Sequence, residues 1–257
     1  MARLFDLHGT VALVTGATGG LGTAICDALA AHGARVILSD HDAAACESAA
    51  ATMRAQGFEA QGLPCDLREQ TSLAGFISQA IGIWGRVDTL VCNAGVQGPA
   101  GPIGKISRAD WDTVMQVNLS APLALTAHLI PLMAERGSGS VVLMSSIAGL
   151  RGNRAIGLYA LSKAALAQLA RNLAVEWGPQ GVRVNAISPG LIRTPLAKDL
   201  LSDEAFMERR LAATPLRRIG EPAEVAGAVV MLAGRAGAFI TGHNLVIDGG
   251  TTISDGS

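Results

Sequence analysis

The sequence predicts an α/β protein: a doubly wound, seven-stranded parallel sheet with helices on both faces. Three observations carry this reading. Seven short runs rich in Val, Ile and Leu, at 10–15, 35–39, 59–64, 89–92, 140–144, 183–187 and 245–247, do not alternate polar with apolar residues, and several are apolar throughout. Strands buried on both faces of a parallel sheet read this way. Between the runs lie longer amphipathic stretches at 20–32, 43–56, 70–84, 111–136, 158–177 and 222–235, so that strands alternate with helices. No Pro/Gly/Ser linker or shift of composition divides the chain, and its 257 residues are expected to form one domain, 1–257.

Bulk composition narrows the function classes. Hydrophobic residues make up 49% of the chain, enough for a large core, and net charge is −1 with the two signs interspersed. No basic face of a nucleic-acid binder is evident. No apolar run approaches the length of a membrane span, and Met1–Asp6 lacks the apolar core and cleavage site of a secretory leader. Cys26, Cys46, Cys65 and Cys92 show no CxxC spacing and read as buried free thiols, which fits a reducing cytoplasm. The five histidines form no HxH or HxxxH pair, so no metal site is expected.

The first strand ends in Thr15-Gly16-Ala17-Thr18-Gly19-Gly20-Leu21-Gly22, and a helix follows. A turn this tight needs residues without Cβ. Gly20 and Gly22 are expected to let the backbone and the helix N-terminus approach a pyrophosphate, whose charge suits the helix dipole. The spacing is G-x-x-x-G-x-G rather than G-x-G-x-x-G, but its place after the first strand makes it a dinucleotide-binding, Rossmann-type signal; Gly19 reads as neutral. The second strand ends at Asp40, eighteen residues after Gly22, where a carboxylate can accept the ribose hydroxyls of adenosine and repel a 2′-phosphate. Two unit charges about 4 Å apart at an effective ε near 20 interact by roughly 4 kcal/mol before screening. No Arg or Lys lies in 15–22 to compensate, so NAD is the expected cofactor. After the third strand, Asp66-Leu67 faces the adenine edge or begins a turn. After the fourth, Asn93-Ala94-Gly95 lets the chain pass beneath the cofactor.

The fifth strand ends in Ser145-Ser146, and thirteen residues after Ser146 comes Tyr159, with Lys163 four further on. On a helix Tyr159 and Lys163 share one face. A nearby ammonium, aided by the positive nicotinamide of a bound cofactor, favours phenolate and is expected to pull the tyrosine below its ordinary value; lowering it by two to three units takes roughly 3–4 kcal/mol. Tyr159 is the only tyrosine, and Lys163 one of three lysines, so the spacing is poor ground for coincidence.

With these motifs in order, together with Asn118, Ser188-Pro189-Gly190 and Ile247-Asp248-Gly249-Gly250, the chain resembles the short-chain dehydrogenase/reductase superfamily from Gly9 to Thr252. Cys92 stands where that family often has a second Asn. The resemblance implies that Tyr159 is the acid/base for hydride transfer between NAD(H) and a secondary alcohol or ketone. It implies that Ser146 holds the substrate oxygen, that Lys163 lowers the tyrosine and holds the nicotinamide ribose, and that Asn118 fixes a water linking Lys163 to solvent. Cofactor contacts would come from Gly16, Thr18, Gly20, Leu21, Gly22, Asp40, Asp66, Leu67, Asn93, Ala94, Gly95, Tyr159 and Lys163, with Pro189, Gly190, Ile192 and Thr194 on the carboxamide. Ser145 is the lesser candidate for the catalytic serine. The resemblance also implies a homotetramer, in keeping with helices at 111–136 and 158–177 that are apolar on more than one face.

Substrate is expected to meet Gln97, Ala148, Leu150, Arg151, Asn153, Gly190 and Leu191, a mixed lining that suggests a small neutral alcohol, polyol or hydroxy-ketone; Arg151 lies in this lining or on the surface. The segment 193–219 interrupts the alternation after a strand's carboxyl end and reads as a lid over the site or as a surface helical hairpin. Two other readings stand beside this one. A 3-oxoacyl-carrier-protein reductase would use NADPH and present basic residues near Gly137 and Gln180, where Arg136 and Arg183 are neighbours, but Asp40 speaks against it. A catalytically silent nucleotide sensor would have no need of Asn118, Ser146, Tyr159 and Lys163 together.

Overall fold

The computed structural model describes residues 4–254, apart from the side chain of Ser72. The reading of 1–6 as no leader falls partly outside the described residues, as do residues 254–257, which the sequence suggests are a short surface tail. Seven parallel strands form one sheet: β1 Val11–Thr15, β2 Arg35–Ser39, β3 Ala60–Gly62, β4 Thr89–Cys92, β5 Gly139–Met144, β6 Val182–Pro189 and β7 Asn244–Ile247, in the order β3-β2-β1-β4-β5-β6-β7. The order reverses between β1 and β4, which opens a crevice at the strands' carboxyl ends, where ligands bind in such sheets.

Alternate residues of each strand feed two cores, because successive side chains point to opposite faces. Leu13, Ile37, Leu90, Val141 and Val184 pack with helices α3 Leu73–Trp84, α5 Ala121–Glu135 and α6 Gly157–Trp177. Ala12, Val14, Val36, Val91 and Val142 pack with α1 Gly20–Ala31, α2 Ala43–Ala55 and α9 Pro222–Ala233. All four cysteines are buried thiols outside any disulfide; Cys65 lies beyond the short β3.

Two expectations are corrected around residues 108–135. The single helix expected at 111–136 is α4 Arg108–Met115, a π-helical turn at Gln116–Ser120, and then α5. A π-turn inserts one residue per turn, which a 3.6-residue pattern cannot reveal, and such bulges occur often at functional sites. The whole stretch Arg108–Glu135 is also long and apolar enough to cross a membrane by length and composition, with an 18-residue window of mean hydropathy 1.4. Half of that window is buried in the protein, where Leu125, Leu129 and Met133 join the core. The segment 193–219 holds two short helices, α7 Lys198–Ser202 and α8 Glu204–Ala212.

Candidate active site

A cavity of about 660 Å³ lies at the carboxyl ends of the strands. Its first wall is the turn after β1. Gly16 has φ +64°, and a Cβ there would lie 2.7 Å from Ala94 Cα. At Gly22 a Cβ would fall 2.0 Å from the Gly16 carbonyl oxygen, so this glycine closes the helix onto the turn. Gly20 would meet Pro195 Cδ at 2.7 Å; its bareness serves packing against the segment after β6, not only ligand approach. Gly19 has room for a methyl group, as its neutral reading expects. Asn93 fastens this wall to the next strand, donating to the carbonyls of Thr15 and Gly16 at 3.1 and 2.9 Å.

Asp40 lines the adjoining part of the cavity. Its carboxylate accepts from Thr18 Oγ1 (2.6 Å), Thr18 N (3.3 Å) and His41 N (2.8 Å) and lies 2.7 Å from His41 Nδ1. Burial works to raise its pKa, but the Thr18 and His41 donors outweigh it and hold the group below the usual carboxylate value. Thr18, expected as a cofactor contact, is outside the lining and holds Asp40 instead. Asp66 lines the cavity and takes the turn alternative as well: it accepts from Arg68 N and grips the Arg68 guanidinium at 2.6–3.0 Å.

The reactive side of the cavity is built by β5 and α6. Ser146, Tyr159 and Lys163 all line it. The Lys163 ammonium sits 5.4 Å from the centre of the Tyr159 ring, within cation–π range. Its Nζ donates to the Met144 carbonyl at 2.7 Å, and burial holds its pKa at about 8, with the nearby Cys92 pulling weakly the other way. In the protein by itself the lowering expected of Tyr159 is not met: burial raises the phenol, and the Ser146 hydroxyl beside it offsets only part of that rise. Ser145 Oγ donates to the Lys163 carbonyl at 2.6 Å and ties the end of β5 to α6, leaving Ser146 as the serine at Tyr159.

Asn118 is fully buried and outside the lining. The π-turn aims its side chain at the loop after β4: Oδ1 accepts from Val96 N (2.8 Å), and Nδ2 donates to Val96 O and Ser162 Oγ (2.9 Å each). Both amide hydrogens are therefore engaged within the protein, and the side chain clamps loop to helix. Leu150, expected at the substrate, is 47% exposed and does not line the cavity.

The other expected residues, from Leu21, Leu67, Ala94 and Gly95 to Gln97, Ala148, Arg151, Asn153, Pro189, Gly190, Leu191, Ile192 and Thr194, share the one cavity. Among the lining residues that the sequence did not single out are three basic ones, His41, Arg68 and Arg210. No motif marks Arg210; its only local signal is Phe206 one helical turn before it.

The cavity suits a dinucleotide. The α1 N-terminus faces it with no acidic residue in its first turn, bare glycine backbone forms its wall, and an ionised, partly buried carboxylate stands at the end of β2.

Comparison with known proteins agrees with this geometry. A family model described as enoyl-(acyl carrier protein) reductase matches residues 16–252. Dehydrogenase/reductase SDR family member 4 of Bos taurus is 38% identical over 98% of this chain and 90% of its own length. Gluconate 5-dehydrogenase of Gluconobacter oxydans is 34% identical over 98% of both chains. A gluconate 5-dehydrogenase of Burkholderia cenocepacia, solved in complex with NADP and tartrate, superposes with a TM-score of 0.94 at 30% identity, covering 98% of both chains.

Proposed function

This chain belongs to the short-chain dehydrogenase/reductase family of oxidoreductases, and from that premise we propose that it transfers hydride between NAD(H) and a secondary alcohol or its ketone, with Tyr159 as acid/base. One observation carries the reading. Ser146, Tyr159 and Lys163 converge on the same cavity that the glycine turn and Asp40 enter from the other side of the sheet's switch point. When bound, the nicotinamide supplies or takes the hydride; the protein supplies position and electrostatics.

Within that reading the Tyr159 hydroxyl gives its proton to the carbonyl oxygen, or takes one from the alcohol. Ser146 donates to the same oxygen and holds it at the phenol; a positioned donor of this kind contributes about 10²–10³ in rate. Lys163 stabilises the phenolate while Tyr159 is deprotonated. Asn118, through Val96 and Ser162, keeps the loop after β4 registered against the helix that carries Tyr159. Pro189, Gly190, Ile192 and Thr194 would hold the carboxamide, and residues 193–219 would act as the lid, supported by the cavity contacts of Thr194, Pro195, Leu196 and Leu200.

Asp40 supports NAD, since its carboxylate is ionised and faces the cavity. NADP is the second reading: His41 and Arg68 stand beside the two carboxylates, and the Burkholderia relative was solved with NADP. A carrier-protein reductase is less favoured. Arg136 donates to the Val87 carbonyl at 2.6 Å and Arg183 to the Gly237 carbonyl at 2.8 Å, so both are engaged internally. Assembly as a homotetramer is supported by the exposed apolar Leu123 on α5 and Leu161 and Val175 on α6; a reducing cytoplasm suits the four buried thiols.

The test is a titration with NADH and NADPH followed by turnover of a panel of secondary alcohols and polyols with each oxidised cofactor. NAD-linked turnover is expected. Tight NADH binding with no turnover of any member would favour a silent sensor, and preference for NADPH would remove the Asp40 argument.

A further inference from the structure

Charge along the cavity is segregated. Its two acidic lining residues, Asp40 and Asp66, follow β2 and β3. The lining contributed by 93–97, by 113 and 117, and by 144–210 contains no carboxylate and two arginines, Arg151 and Arg210. They come from different elements: Arg151 from the loop after β5, Arg210 from α8.

Neither guanidinium has a hydrogen bond or ion pair among the described residues, whereas Arg193 and Arg218 nearby are each held by a glutamate. Arg210 is half-buried and lies over the Phe206 ring at 5.5 Å, which fixes its direction. Both guanidinium-bearing residues line the one cavity, and burial first, then the charge of Arg151, holds Arg210 below its ordinary value. Asp248 is the acid whose charge reaches Arg210, and its two oxygens are taken by the backbone N–H groups of Gly250 and Thr252. Lys163, the remaining cation of this region, is engaged by Met144. Two like charges lining one cavity, neither held in an ion pair among the described residues, gain from an oxyanion bound between them, and the planar guanidinium suits carboxylate and phosphate alike.

We propose that Arg151 and Arg210 form a clamp for an oxyanion carried by the substrate, so that the protein acts on an acidic hydroxy compound rather than on the neutral alcohol its other lining residues suggest. This rests on the reading of Ser146 and Tyr159 as the reacting end; the clamp then sets which part of the substrate lies away from them.

The experiment compares D-gluconate, D-sorbitol and sorbitol 6-phosphate with NAD, in wild type and in Arg151→Met, Arg210→Met and Arg209→Met. Arg209 is exposed on the same helix and does not line the cavity. One acidic substrate, gluconate if the oxyanion is a carboxylate or the phosphate ester if it is a phosphate, is expected to exceed sorbitol in kcat/KM. Each clamp variant is expected to raise its KM by about 10- to 100-fold, the size of a lost charge-assisted hydrogen bond, while sorbitol turnover and the Arg209→Met control stay unchanged. Sorbitol turned over as well as both acids, or equal losses on neutral and acidic substrates, would overturn the clamp. Calorimetric binding of gluconate and of sorbitol 6-phosphate to the NADH-loaded protein keeps the two readings apart. If nothing is turned over, acid binding lost in Arg210→Met but not in Arg209→Met still upholds the clamp, and its absence in wild type refutes it.

Discussion

Replacing Lys163 by Met is expected to stabilise the fold at neutral pH while destroying the chemistry proposed for it. Lys163 is 3% exposed and, among the described residues, has no carboxylate partner and one side-chain hydrogen bond, to Met144. Burial lowers its pKa from 10.5 to about 8. A depressed ammonium opposes folding wherever it is protonated in both states. That cost, about 3 kcal/mol, is present in full below pH 8, shrinks as the pH rises toward 10.5, and is gone above it. The methionine variant carries no such cost but leaves the Met144 carbonyl without its donor, a loss of about 1 kcal/mol. The net expectation at pH 7 is a gain of about 2 kcal/mol that vanishes or reverses by about pH 10.5. Urea unfolding of both proteins at one protomer concentration, from pH 6.5 to 10.5, measures it. A difference that stays flat across this range, or a variant less stable at pH 7, would refute the reasoning.

Gly22→Ala is expected to cost several kcal/mol, because its Cβ would strike the Gly16 carbonyl, whereas Gly19→Ala should cost less than about 1 kcal/mol; thermal melts of the pair compare them. Asp40→Ser is expected to shift relative affinity from NADH toward NADPH by at least about tenfold, as read by fluorescence titration of both cofactors. Ser146→Ala should lower kcat by about 10²–10³ while NADH affinity holds within about twofold.

Much of the sheet was legible in the sequence because both faces are buried. The runs at 35–39 and 89–92 coincide with β2 and β4, and the others differ at their ends, most at 183–187, where β6 extends over Val182–Pro189, and equally at 59–64, where only Ala60–Gly62 pairs with β2. Chemistry tied to strand ends was legible for the same reason: Ser146 and Tyr159 meet because β5 and α6 are neighbours. Contacts made through space were not. Thr18 reads as a cofactor residue until Asp40 is seen accepting its hydroxyl, and Leu150 reads as lining until its loop turns outward. The π-turn at 116–120 keeps the apolar pattern of a helix while redirecting Asn118. Arg210 sits on a helix within a segment that no periodicity organises, so only folding brings it into the cavity that Arg151 lines.

Tyr159→Phe tests the central claim most directly, because it removes one hydroxyl and keeps the ring against Lys163. NAD-linked turnover is expected to fall by about 10²–10⁴-fold, with NADH affinity within about twofold of wild type. A variant that binds NADH and retains substantial turnover would contradict Tyr159 as the acid/base.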